Sequence, residues 1–261
     1  RLVWKSMTPI FFIGTLAMVG FFYWAAYQSA RALKSKTIQI TGNLLLSVPE
    51  FVFKLVTLGL CFGLANTLSV SRVENYINWP SRQPLVDLVI GLVIGIVTAF
   101  IINFLSVFAI RIWGKDIYTP DIMKSLIPRN QLEWVLIIFP LLLSVAVEEM
   151  LFRALLIGGF STIVNPWALV VAGGVLFGLM HAPQGNLGIV LTGAVGILFG
   201  AVFIITGSLL TVIVAHFALN FFQIIRAKED IAWYERFQDA PRYRSPKLEP
   251  EPNLEEEEQQ V

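Results

Sequence analysis

Six residues in the second half of the chain carry the chemistry this sequence can offer: Glu148, Glu149, Arg153, His181, His216 and Asn220. Glu148, Glu149 and Arg153 lie in one apolar stretch, preceded by Leu141 to Val147 and followed by Ala154 to Ile157. Charged groups cost about 2.5–3.5 kcal/mol each at the centre of an inserted helix, so they persist there mainly where they pair or work. On a helix Glu149 and Arg153 share a face and can neutralise each other. Glu148 turns about 100° away and keeps no local partner. His181 and His216 are the only two histidines of the chain, and both end or interrupt apolar helices. His216 and Asn220, four apart, fall on one face.

Two bland readings compete with a site. The charges could only tie helices together, and a lone intramembrane histidine often just hydrogen-bonds a neighbouring helix. Two histidines, a Glu pair and an Asn on three segments fit convergence on one site better. A buried carboxylate can act as a base on water near neutral pH. Imidazole and amide N–H groups can donate to developing negative charge. Together these are the parts needed for hydrolysis of a peptide bond. No Ser–His or Cys–His pair is required, and the single cysteine, Cys61, is far from the motifs in sequence. It allows no intrachain disulfide and is read as a packing residue.

The elements that must position these residues are membrane helices. Of 261 residues 56% are hydrophobic and 14% charged, with a mean hydropathy of +0.71, whereas soluble domains are nearer a quarter charged. The apolar runs are continuous and long enough to cross about 30 Å of hydrocarbon. They lack the alternation of a β-barrel. The expected fold is all-α, a polytopic bundle of about seven transmembrane helices, or eight if the fourth is split. The segments run 9–27, 51–68, 85–112, 134–160, 166–180, 187–205 and 208–225, with a polar connector over 113–129. Pro140 is expected to kink or break the fourth. If the fourth helix enters there, Glu148 lies about 12 Å inside. Thr206-Gly207-Ser208 predicts a tight hairpin between the last two segments.

Three regions follow: 1–130, about three helices and the connector; 131–226, the bundle holding the six residues; and 227–261, a tail. Within the tail, Ile231 to Tyr234 and Phe237 are expected at the bilayer surface. The Pro- and Glu-rich remainder cannot fold alone and is expected to be solvated. Small residues four apart at Gly91/Gly95, Gly174/Gly178 and Gly196/Gly200 suggest close helix packing. Glu50 and Lys54, also four apart, are expected to form an interfacial ion pair, and Asp87 begins the third segment.

Lys and Arg placement sets the orientation. Arg1, Lys5, Arg72 and Arg82 fall on one side. The other carries Arg31, Lys34, Lys36, Arg111, Lys115, Lys124, Arg129 and six basic residues from Arg226 to Lys247. The second side is expected to be cytoplasmic, or stromal in a plastid, with the N-terminus outside and the C-terminus inside. The chain begins with Arg1 rather than Met, so the true N-terminus is expected to precede it. A net charge of +1 gives no reason to expect nucleic acid.

Glu148-Glu149-x-x-x-Arg153, Phe177-x-x-x-His181 and His216-x-x-x-Asn220, in this order, resemble the three motifs of the CPBP family, also called the Abi or CAAX-protease-like family of intramembrane proteases. The resemblance covers about 132–226. It implies a helical bundle whose active site opens towards the cytoplasm, and an endopeptidase activity. It also implies roles: Glu148 as the base that activates water, His181 assisting, His216 and Asn220 stabilising the oxyanion, Glu149 and Arg153 organising the site. A metal-free mechanism is the expectation. The alternative is zinc on Glu148, His181 and His216, although the HExxH helix of common zinc proteases is absent. Expected partners are membrane lipid, a membrane protein or lipidated peptide substrate, and other members of a membrane complex.

Two further functions remain open at this level. One is a catalytically silent scaffold or assembly factor with the same fold, for which the aromatic run Phe21 to Trp24 and the tail would be partner surfaces. The other is a transporter or proton relay, against which stands the lack of an apparent inverted repeat.

Overall fold

The computed structural model describes residues 9–35, 37, 42–67 and 83–239, and among these there is helix and no strand. Six helical stretches are long and apolar enough to cross a membrane, and a seventh apolar helix is shorter. The helical membrane bundle expected from composition is what forms. In chain order the helices are α1 (Pro9–Lys34), α2 (Val48–Thr67), α3 (Pro84–Trp113), α4 (Asp121–Leu126), α5 (Gln131–Leu136), α6 (Ile138–Glu149), α7 (Pro166–Met180), α8 (Gly185–Thr206) and α9 (Leu209–Asp239). A 3₁₀ turn, Leu44–Leu46, leads into α2, and another, Ala182–Gln184, joins α7 to α8. The first-region basic residues Arg1, Lys5, Lys36, Arg72 and Arg82 lie outside the described residues, as does the tail from residue 240.

The break in the fourth segment falls at Ile137, three residues before Pro140. Proline has no N–H to donate to the carbonyl of residue 136, and its ring crowds that carbonyl. The helix is therefore interrupted in the preceding turn, where Ile137 N–H still bonds the Glu133 carbonyl at 2.9 Å. Asn130 caps α5 by accepting from Glu133 N–H at 2.9 Å. Glu148 then stands ten residues beyond Ile138, about 15 Å along the axis.

After Glu149 the chain does not continue as α-helix. Met150–Gly158 is a π-helix of 9 residues, all of them buried. Its last turn closes with Gly159 N–H directed at the Ala154 carbonyl, the five-residue step that defines this winding. Nothing in the sequence reading foresaw it. Such windings recur at functional sites.

Small residues set the helix spacings. A Cβ at Gly91 or Gly95 of α3 would collide with the backbone carbonyls of Thr211 and Ala215 on α9. A Cβ at Gly174 or Gly178 of α7, or at Gly196 of α8, would strike the facing helix of the α7–α8 pair. These residues let backbones touch, which is how membrane helices gain dispersion energy without hydrophobic drive. Gly207 adopts φ +65° and closes the α8–α9 hairpin, its N–H on the Phe203 carbonyl at 2.8 Å. Asp87 ties α3 to the start of α9, accepting from Ser208 Oγ at 2.7 Å and Thr211 Oγ1 at 3.0 Å. Cys61 is fully buried in the apolar core, as a packing residue should be.

Two expectations are corrected. The helix of the last span does not stop near Ile225, and among residues 231–237 Tyr234 packs on protein. α9 runs on through Arg226 to Asp239, and Tyr234 is buried beside Ala109, Ile110 and Leu187. Its hydroxyl donates to the Tyr118 carbonyl at 3.3 Å, and Trp233 and Phe237 pack against the same cluster. Second, Glu50 and Lys54 form no ion pair: among the described residues no carboxylate lies within 4.0 Å of the Lys54 ammonium.

Candidate active site

Glu149, the last residue of α6, is fully buried and receives two partners from different directions. Arg153 Nη1 donates to its Oε1 at 3.0 Å, the pairing that the four-residue spacing predicts. His216 Nδ1 reaches the same oxygen at 2.6 Å from α9. Arg153, only 1% exposed, spends its Nη2 on the Gly196 carbonyl of α8 at 3.1 Å. A buried cation and a buried anion are tolerated here because each neutralises the other, although Glu149 Oε2 and Arg153 Nε, both buried, have no hydrogen-bond partner among the described residues.

Two phenylalanines hold this core. The Arg153 guanidinium lies 5.1 Å from the Phe177 ring centre and 5.9 Å from that of Phe199, within cation–π range. The same rings lie 5.8 and 5.6 Å from the His216 imidazole. Phe177 was visible as the first residue of the second motif. Phe199 had no sequence signal: it is one apolar residue in an apolar helix, and only the packing of α8 shows what it touches.

Glu148 faces the other way. Its side chain is 35% exposed, and its Oε2 lies 3.7 Å from His216 Nε2, too far for a direct hydrogen bond. That oxygen is buried and has no hydrogen-bond partner. His216 therefore bridges the pair, with Nδ1 on buried Glu149 and Nε2 towards Glu148. A carboxylate only accepts, so Nδ1 carries the proton in that contact.

Glu148, His181, His216 and Asn220 all line one cavity of about 700 Å³. α7 brings His181 there because it is short: 15 residues cover about 22 Å, less than the hydrocarbon thickness, so its C-terminal end stops inside the bundle. His181 Nδ1 is 2.8 Å from the Phe177 carbonyl one turn back, which fixes the ring and leaves Nε2 as its other polar atom. Glu149 and Arg153 do not line the cavity. They stand behind its wall and hold His216. Polar groups that the sequence had not singled out, Ser144, Gln184, Thr192 and Gln223, share the lining.

Among the described residues no three His, Cys, Asp or Glu side chains come together as a ligand group. The His216 Nδ1 contact with Glu149 leaves Nε2 as the ring nitrogen that faces Glu148.

Residues 130–222, the stretch that holds all six site residues, match the model of a family described as type II CAAX prenyl endopeptidase Rce1-like. No curated protein and no solved structure matches the chain. The three motifs and the family match agree: residues 130–222 are similar to the Rce1-like, CAAX-protease-like family, in a chain with six helices long and apolar enough to cross a membrane.

Proposed function

We propose that the protein is an intramembrane endopeptidase in which Glu148 activates a water molecule for attack on a peptide carbonyl. The observation that carries this reading is the division of labour between adjacent carboxylates. Glu149 is buried and doubly engaged, while Glu148 is half exposed to a cavity shared with two histidines and an asparagine.

In this reading Glu148 takes a proton from water as general base. His181, on the same cavity, assists that transfer. The tetrahedral oxyanion is received by the Asn220 amide and by His216 Nε2, which donates when the ring carries both protons. Glu149 and Arg153 fix the tautomer and direction of His216. No step needs a metal. The basic side of the bundle, with Lys115, Lys124 and Arg129, is the cytoplasmic or stromal side, so the substrate is cut near that face. It is a membrane protein or lipidated peptide.

The test is Glu148→Gln and, separately, His181→Ala in the native membrane, followed by quantitative proteomics of membrane proteins. The reading predicts one or more uncut proteins accumulating in both variants. If both variants leave every membrane protein at its normal length while the phenotype and assembly persist, the chain acts as a scaffold instead. Metal content of purified protein, with and without chelator, separates the metal-free reading from a zinc enzyme.

A further inference from the structure

The cavity has a second feature outside the family match. Lys54, on α2, is the only Lys or Arg among the described residues that line it. The other charged groups of the lining are Glu50, Glu148 and Asp230. Asp230 is engaged, accepting from Asn103 at 3.0 Å with Arg226 at 3.6 Å. Lys54 is half-buried and has no carboxylate within 4.0 Å; Glu50, one turn earlier, is exposed and does not reach it. Lys54 thus offers the cavity a cation with no carboxylate paired to it, one that an incoming anion can take.

Its position relative to Glu148 follows from helix packing. Leu45, just before α2, packs with Ile137 and Leu141 at the start of α6, so the two helices begin at the same face and run in the same direction. The Phe51 and Phe139 rings, 5.9 Å apart, set their register. Lys54 is three residues past Phe51 and Glu148 nine past Phe139. At about 1.5 Å per residue, Lys54 sits about 9 Å nearer the entrance than Glu148. Two or three extended residues cover that distance at about 3.3 Å each.

We propose that Lys54 binds a carboxylate of the substrate, on the entrance side of the bond that Glu148 attacks. The carboxylate is a C-terminus or an Asp or Glu side chain. This rests on the endopeptidase reading for the place of the scissile bond, but not for the binding itself. The residue comes from the α1–α3 region rather than the motif-bearing segment, so it confers a preference that the motifs do not encode.

The test measures binding without turnover. Purified Glu148→Gln protein in nanodiscs is titrated with fluorescent lipid-anchored peptides that carry a carboxylate two or three residues beyond a common sequence. One peptide ends in a free acid, its twin in an amide; a second twin pair has an amidated end and places Asp against Asn. The acid of at least one pair should bind about tenfold tighter than its neutral twin. That difference should vanish in E148Q/K54M and survive in E148Q/K54R, each checked for an unchanged melting temperature. Which pair discriminates identifies the source of the carboxylate. No discrimination in E148Q, or discrimination that persists in E148Q/K54M, overturns the proposal. Lys54-dependent binding by a chain whose Glu148-intact form cleaves neither acid peptide would instead leave the Lys54 site standing and count against the endopeptidase reading.

Discussion

His216 Nδ1 lies 2.6 Å from Glu149 Oε1, joining two residues separated by 67 positions in the chain. This contact decides which of two adjacent glutamates is structural and which faces the cavity. It gives the two opposite mutational signatures.

Glu148→Gln should leave the fold intact, because the side chain is half exposed and makes no hydrogen bond that the amide would lose. Glu149→Gln leaves Arg153 buried without its counter-ion. Removing one partner of a buried pair typically costs about 3–5 kcal/mol. Thermal or denaturant unfolding in detergent should therefore place E148Q near wild type and E149Q far below it.

Arg153→Lys should also destabilise. Lysine keeps the charge but cannot hold Glu149 and the Gly196 carbonyl in one fork. A loss of about 1–3 kcal/mol is expected, with the double variant E149Q/R153M less damaged than the sum of its parts. An additive double variant would show that the two side chains do not act as a pair.

Glycine substitutions test the helix spacing. Gly95→Ala drives a methyl into the Ala215 carbonyl on α9, and overpacking of this kind costs about 1–3 kcal/mol. Gly63→Ala on α2 meets nothing within 4 Å and replaces a poor helix former with the best one. It should be neutral or slightly stabilising in the same assay.

Much of this arrangement was legible in the residues. The Glu149–Arg153 pair follows from helix periodicity, and the α8–α9 hairpin from a glycine able to take positive φ. The cavity set was readable because ionisable groups in apolar helices are too costly to be incidental. What could not be read is which helix faces which. A helix that is apolar all round carries no stripe to mark its buried side, so the His216–Glu149 contact and the Phe199 clamp appear only in three dimensions. The π-helix after Glu149 has no local sequence signal. The extension of α9 was missed because Arg226, Lys228 and Glu229 read as the end of a span, whereas the helix simply leaves the apolar layer and packs on protein.

The most direct measurement of the central claim is hydrolysis by purified protein. Wild type and Glu148→Gln, matched for melting temperature in nanodiscs, are incubated with a library of lipid-anchored peptides, and the products are followed by mass spectrometry. The account predicts specific cleavage by wild type and a loss of at least about a hundredfold in E148Q, the lower bound for removing a general base. Equal cleavage by the two proteins would contradict it.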